Sequence, residues 1–567
     1  MAEYLDFREA RCRDCYLCLR ECPVKAIAVI NHQARIIDDR CILCGNCTLV
    51  CPQNAKVVHS ELEQVKQLLA GNKKVIASVA PSFIANFDVA DFSTFKIALC
   101  KLGFFDAEET AVGARIVTQQ YRVLMESGQF KNFITSACPA ACQMIQHYFP
   151  KALKYLAPVD SPMFAHAKLL HKQYDDAEIV FIGPCIAKKK EARESQMIAN
   201  VLTFEELELF FKERNINLDE MSNFSLGEKK VGANLAKSYP ISHGIINSFG
   251  SNLPEGFEYM AVDGADRCVD LLENIESLSG MFIELNACKD ACVAGPCSLK
   301  KPGGSIRATA TVRDYVANEV KTKGSPAEVP CNVDLSVAYP RIRTTNRIPT
   351  EDEIKAILAK TGKFKPEDEL NCGSCGYTTC REKAWAVFNG YSDVEVCFPY
   401  LRQQAESMSY EIMQSNPDGI VVLDDKMNIM VINDKARELL GIDAKMESLK
   451  GMPAVDYFNP SDFMITQTSK KPLLNDRQFI PKTGQYVDLS ISPLKGHNML
   501  CGVLKDVTAK AGYEERLKEM KMKTLDTTDE VIMRQMRVAQ EIASLLGETT
   551  AETKVALLKL KKTLQEK

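Results

Sequence analysis

The run IVFIGPCIAKKKE (179–191) sets four apolar residues against a Gly-Pro stop, then a cysteine, then a charged helical stretch. A short apolar run bounded by Gly, Pro or Ser reads as a buried strand. Other runs have the same form. KNFIT (131–135) leads to Cys138, GMFIELNAC (280–288) ends on Cys288 with Cys292 just beyond, and KKVIASVAPS (73–82) adds a strand without a cysteine. Such runs alternating with helical stretches predict an α/β core from about residue 61. Sites in α/β cores collect at strand ends, so Cys138, Cys185, Cys288 and Cys292 are expected to converge.

The chain has 567 residues, 46% of them hydrophobic and 25% charged, which suits several compact cores. A net charge of −4 favours neither nucleic acid nor an anionic membrane as partner. No stretch approaches the ~20 apolar residues that span a bilayer, and MAEYLDFREARC lacks a signal-peptide pattern, so a cytoplasmic location is expected. Twenty-two cysteines then read as metal ligands in a reducing compartment, not as a disulfide scaffold.

CRDCYLCLRECP (12–23) and CILCGNCTLVCP (41–52) repeat C-x2-C-x2-C-x3-C-P, a run that holds cubane clusters and sends its fourth thiolate to the other cluster. One [4Fe-4S] cluster should take Cys12, Cys15, Cys18 and Cys51, the other Cys41, Cys44, Cys47 and Cys22. AIAVINHQARIIDD (26–39) between the runs reads as a β-hairpin. The block resembles a bacterial two-cluster ferredoxin. CGSCGYTTC (372–380) and Cys397 form a third unit around a helix carrying Trp385; four thiolates so spaced could hold a cluster or zinc. This stretch resembles the small iron–sulfur domain of corrinoid proteins and some redox sensors, which favours a cluster.

SNPDGIVVLDDKMNIMVINDKARELLG (415–441) places two alternating strands around Asp424, Asp425 and Lys426, with Asn433 set to cap a helix. With QYVDLSISPLK, NMLCGVLKDVT and a long polar helix, it resembles a PAS sensor domain. His497, the one histidine there, reads as a surface residue. Val531, Val538, Ile542 and Leu545 fit a heptad, either as a homodimer seam or as a helix packed on its own domain.

Together TSACP (135–139), GPCIAKKKE (183–191) and ELNACKDAC (284–292) resemble the three signature segments of [FeFe]-hydrogenases. The resemblance covers about residues 1–345. It implies an H-cluster, a [4Fe-4S] cubane joined to a diiron subcluster with CO, CN and azadithiolate, held by Cys138, Cys185, Cys288 and Cys292, with Cys292 bridging the halves. It also implies that Lys188 donates to a cyanide and that Glu191, three residues on, fixes Lys188 by an ion pair. The chain departs at Ala137, where catalytic members carry a proton-relaying cysteine; a methyl group transfers no proton. GARIVTQQYRV also lacks the family's relay carboxylate, and Gly183 and Asn286 stand where methionines are usual.

The expected organisation is multidomain α/β and α+β: a ferredoxin-like domain at 1–60, the H-cluster domain at 61–345, a [4Fe-4S] domain at 346–402, a PAS domain at 403–510 and a helical tail at 511–567. The expected function resembles that of sensory [FeFe]-hydrogenases, reacting slowly and reversibly with H2. Electrons would pass to a ferredoxin-like partner and the signal to a separate kinase or phosphatase. Two alternatives stay open: an efficient hydrogen-evolving enzyme with another proton route, and an electron-transfer or assembly protein lacking the diiron unit. Cys100, Cys142, Cys268, Cys297, Cys331 and Cys501 fall outside the assigned sites and read as buried, inert thiols.

Overall fold

A computed structural model describes residues 4–218, 234–324, 333–343, 346–444, 446–494, 498–546 and 551–565. Cys331 and His497 lie outside them. The chain divides into two compact units, Met1–Leu401 and Arg402–Lys567.

In the first unit, β1 (Leu5–Phe7) and β4 (Lys56–Val58) pair antiparallel, and β2 (Ile27–Ile30) and β3 (Gln33–Ile36) form the hairpin between the two cysteine runs. Two all-parallel sheets follow. One has the order β6-β5-β8-β9, from β5 (Val75–Val79), β6 (Asp106–Glu109), β8 (Glu178–Gly183) and β9 (Asn200–Thr203). The other has the order β10-β11-β7, from β7 (Phe133–Ile134), β10 (Glu258–Asp263) and β11 (Met281–Asn286). All residues of β5 and β11 are buried, which is why neither sequence alternates apolar with exposed polar positions; β11 even buries the polar Glu284 and Asn286. The helices used below are α1 (Ala111–Glu126), α2 (Pro139–Tyr148), α3 (Pro162–Gln173), α4 (Ala187–Ser195) and α5 (Gly304–Lys323). Pro139 at the first position of α2 and Pro162 at that of α3 suit helix starts, where no amide hydrogen is needed.

Helix α6 (Cys380–Phe388), started by the Thr379 hydroxyl accepting from the Glu382 amide, belongs to the third cysteine unit. This unit packs on the ferredoxin-like block. Gly376 has φ +93°, and a Cβ there would lie 2.8 Å from Leu19 Cγ and 3.3 Å from the Arg20 amide nitrogen. The Arg40 guanidinium stacks over Tyr148, Trp385 and Tyr391, with the Trp385 ring centroid 4.8 Å away.

The second unit is a five-stranded antiparallel sheet of order β13-β12-β16-β15-β14, from β12 (Gly419–Leu423), β13 (Ile429–Ile432), β14 (Leu473–Ile480), β15 (Gln485–Pro493) and β16 (Leu500–Asp506). Strands β12 and β16 bury alternate residues, the pattern of a sheet covered on one face. Asp424 closes the β12–β13 turn by accepting from the Lys426 and Asn428 amides. Asn433 caps α7 (Asp434–Leu440) by accepting from the Ala436 amide. Beyond the sheet run α8 (Thr508–Leu546) and α9 (Ala551–Gln565). Val531, Val538 and Ile542 are about half exposed, so packing on their own domain does not cover these three heptad positions; the side chain of Leu545 lies outside those described.

Candidate active site

The C-terminal ends of β5, β7, β8 and β11 face one cavity of about 100 Å³, which Cys138, Cys185, Cys288 and Cys292 all line. Each thiol is placed by its element. Cys138 is the cap residue of α2, Cys185 stands between β8 and α4, Cys288 follows β11, and Cys292 lies in the short turn Ala291–Ala294. Burial, and then Cys138 beside it, pushes the Cys185 thiol up to about 11 against the pull of Lys188. Burial and the neighbouring thiols likewise raise Cys288 and Cys292. Bare thiols so crowded resist ionising; a bound cationic cluster reverses that, because it stabilises thiolates and displaces their protons. Among the described residues no three His, Cys, Asp or Glu side chains close on a single-ion site. The thiols surround a space instead, an arrangement that fits a multi-atom cluster.

Lys188 also lines the cavity, and its Nζ donates to Glu191 Oε2 at 2.6 Å and to Ser161 Oγ at 3.0 Å. The lysine is thus buried, paired and aimed from the first turn of α4. Ala137 lines the same cavity. Helix α1 carries no carboxylate before its last residue, Glu126; the buried Tyr121 hydroxyl there meets Ser136 Oγ at 3.1 Å. Gly183 is hemmed in, since a Cβ would lie 2.8 Å from the Phe181 ring. Asn286 donates to Asp263 at 2.9 Å and to Glu284 at 3.3 Å.

The ferredoxin-like block reaches this cavity through Leu43 and Cys44. A Cβ on Gly45 would lie 2.4 Å from Pro296 Cβ and 2.9 Å from Ile186 Cδ1, so the block sits directly on the core. Cys47 is raised by burial and by Cys41, Cys44 and Cys22, and Cys18 is pushed up to about 11 by burial together with Cys12, Cys15 and Cys51. Each run therefore has one cysteine of the other as a close neighbour. Amides of Ala26 and Ala55 donate to Cys22 Sγ and Cys51 Sγ at 3.2 and 3.3 Å. A second cavity is lined by Cys372, Cys375, Cys380 and Cys397 with Lys363 and Lys383; Lys363 Nζ lies 3.6 Å from Cys397 Sγ.

Of the spare cysteines expected to be buried, Cys142, Cys268 and Cys297 are, Cys501 is only partly so, and Cys100 is exposed because it falls on the outer face of the helix Phe92–Leu102. Sequence reading passed over Glu284 except as a motif letter. It is fully buried, its carboxyl pushed up to about 8 by burial and Asp263 against the amides of Ile246 and Ile245 and the Asn286 side chain. It also passed over a buried polar chain, Thr110, Ser78 and His166, whose members lie far apart in sequence.

Fold and site define a protein built around an iron–sulfur core with a separate PAS-type sheet. Residues 73–296 match the family model for the C-terminal domain of the iron-only hydrogenase large subunit, 11–55 that of the 4Fe-4S dicluster domain, 368–399 an Fe-S cluster family and 408–478 the PAS fold. The NADP-reducing hydrogenase protein HndD of Solidesulfovibrio fructosivorans is 27% identical over 266 residues, 39% of this chain and 44% of that protein. A component of the ion-translocating oxidoreductase complex of Methanosarcina acetivorans is 43% identical over 47 residues, 8% of this chain and 18% of that protein. The chain spans less than half the length of these relatives. Among solved structures, an apo [FeFe]-hydrogenase of Chlamydomonas reinhardtii is 17% identical with a TM-score of 0.37, covering 50% of this chain and 100% of that one. The PAS domain of an HTR-like protein of Haloarcula marismortui is 19% identical with a TM-score of 0.15, covering 19% of this chain and 94% of that one. The chain thus carries a domain similar to that of iron-only hydrogenases together with iron–sulfur cluster domains and a PAS domain. No described helix is long and apolar enough to cross a membrane.

Proposed function

We propose that the chain is a sensory [FeFe]-hydrogenase that reacts slowly and reversibly with H2, as H2 = 2 H+ + 2 e−, and passes its state to a separate signalling partner such as a kinase or phosphatase. One observation carries the reading: Ala137 borders the cysteine-lined cavity of a chain that also bears a PAS domain. An alanine there provides no proton donor next to Cys138, and slow turnover is tolerable where occupancy or redox state is the output.

Cys138, Cys185, Cys288 and Cys292 would hold an H-cluster, and Lys188, fixed by Glu191 and Ser161, would donate a hydrogen bond to it. When bound, the cluster supplies the metal centre for cleaving and forming H2. The residues around it keep the site dry and oriented: Met163, Phe181 and Ile245 wall it with apolar surface. Cys44, on the same cavity wall, would belong with Cys22, Cys41 and Cys47 to one [4Fe-4S] site, and Cys12, Cys15, Cys18 and Cys51 would hold the next; clusters there would supply electron exchange with a ferredoxin-like partner. The Cys372, Cys375, Cys380 and Cys397 site would hold a third accessory [4Fe-4S] cluster, next to two lysines that favour added negative charge.

Infrared spectroscopy of the full chain matured with the diiron unit tests the reading. CO and CN bands are expected, responding reversibly to H2, with about eighteen irons per chain from four cubanes and the diiron unit. Absence of those bands overturns it, and about fourteen irons would mean that one cubane site is empty.

A further inference from the structure

Glu108 of β6 stands beside Ser78 of β5, its register partner, and Thr110, just past the end of β6 at the cap of α1, turns its hydroxyl to the same serine. Helix α3 brings His166 to that serine too. Thr110 Oγ1 and Ser78 Oγ are 2.8 Å apart, and Ser78 Oγ and His166 Nδ1 are 2.8 Å apart. His166 Nε2 lies 3.6 Å from Glu108 Oε2; it is buried and has no hydrogen-bond partner among the described residues. Ser78 and His166 are fully buried, while the Glu108 side chain is 25% exposed. At the other end Thr110 lines the cysteine cavity. The row therefore runs from surface to site.

Ser78 is the register partner of Phe181 and lies two residues from Ile76, and His166 shares α3 with Met163 and Ala167; these four apolar residues belong to one buried cluster. Apolar side chains could fill the same space without the cost of desolvating three polar ones, so packing alone does not account for them. Their placement is tight. A Cβ on Gly113 of α1 would lie 2.4 Å from the Pro162 carbonyl oxygen and 2.6 Å from the His166 amide nitrogen, so a glycine lets α1 press α3 and its histidine onto the sheet.

We propose that Glu108, His166, Ser78 and Thr110 form the proton conduit of this site, replacing the relay that Ala137 removes. The inference rests on the function proposed above. A proton on Glu108 passes to His166 Nε2 once the 3.6 Å gap closes. The Nδ1 proton passes to Ser78 Oγ, the Ser78 hydroxyl proton to Thr110 Oγ1, and the Thr110 hydroxyl proton into the cavity. One proton enters, one leaves, and no electron moves along the row. The imidazole is left in its opposite tautomer, and transfer in the reverse direction restores it. Such a row suits a site that takes up and gives back a proton better than one that turns over continuously in one direction. The groups facing the outer end are Gln173, which donates to Glu108 Oε1 at 3.0 Å, Tyr174 at 3.5 Å from the same oxygen, and Asp106, which accepts from Tyr174 and pairs with Lys96.

The test uses the full chain in two states. In the matured chain, Thr110→Val and Ser78→Ala should slow the relaxation of the CO and CN bands after a pH jump by roughly tenfold or more, leaving band positions and the denaturation midpoint of Thr110→Val little changed. Unchanged relaxation overturns the conduit, as does slowing seen in Glu284→Gln instead. In the chain without its diiron unit, deuterium exchange at the His166 ring carbon, followed by mass spectrometry, should shift its midpoint to lower pH in Glu108→Gln. An unmoved midpoint breaks the outer half of the conduit even if no CO or CN band forms, whereas missing bands with a shifted midpoint count against the proposed function alone.

Discussion

Lys188 Nζ lies 2.6 Å from Glu191 Oε2, with side chains only 9% and 14% exposed, on the wall of the cavity that four cysteines share. A pair this buried is costly to break from one side. Glu191→Gln keeps the shape and removes the charge, leaving the ammonium with only neutral acceptors, the amide oxygen and Ser161. We expect a loss of about 3 kcal/mol in unfolding free energy, at the low end for an orphaned buried charge, read by denaturant titration. Lys188→Met with Glu191→Gln should recover part of it; a double variant no more stable than Glu191→Gln would show that the pair is not coupled.

Ala137→Cys places a thiol at the cavity wall without supplying a route onward, because α1 offers Gln119, Gln120 and Tyr121 where a carboxylate would be needed. The expected result is a gain in hydrogen evolution under about tenfold, or ~1.4 kcal/mol of barrier, with a changed pH dependence of the infrared states. Identical state distributions in both forms would return Ala137 to a packing role.

Glu284 makes stability fall as pH rises. Its folded carboxyl is held up at about 8 against an ordinary 4.5. Below 4.5 both folded and unfolded chains keep the proton and nothing changes. Between about 4.5 and 8 only the folded chain keeps it, so the unfolded state gains with each step upward, and beyond 8 the loss is constant. Glu284→Gln should therefore be more stabilising, or less destabilising, at pH 8.5 than at pH 5. Denaturation midpoints that differ from the parent by equal amounts at both pH values would contradict the buried neutral acid.

Gly376→Ala should loosen the third cysteine unit from the ferredoxin-like block. A methyl there strains a backbone at φ +93° and meets Leu19 and the Arg20 backbone, which should cost about 2 kcal/mol. Faster limited proteolysis around residues 372–380 is the expected sign, and an unchanged digestion pattern would mean that the contact does not hold the unit.

Much of this architecture can be read from sequence where the chemistry is local. Cysteine spacing at 12–22 and 41–51 announces clusters, and an apolar run stopped by Gly-Pro before Cys185 announces a strand end. The β12–β13 turn and the Asn433 cap are equally local, because one short side chain closes each. What escapes is assembled across distance. Thr110, Ser78 and His166 are unremarked residues until β5, β6 and α3 bring them together, and Lys237 gains meaning only when Glu109 and Glu319 each come within 2.8 Å of it. Glu284 was visible as a letter, but its surroundings depend on the short helix Gly244–Ser248, whose Ile245 and Ile246 amides donate to its carboxyl. Cys100 shows the opposite case, since one step of helical phase decides whether a thiol faces the core.

The junction at Arg40 has a practical use. Trp385 is the only tryptophan in the 567 residues, and it rests 4.8 Å from that guanidinium with Tyr391 beside it. The chain thus has a single built-in fluorophore, placed where three of its parts meet. Its emission reads whether they stay together during maturation, reduction or truncation, with no label attached.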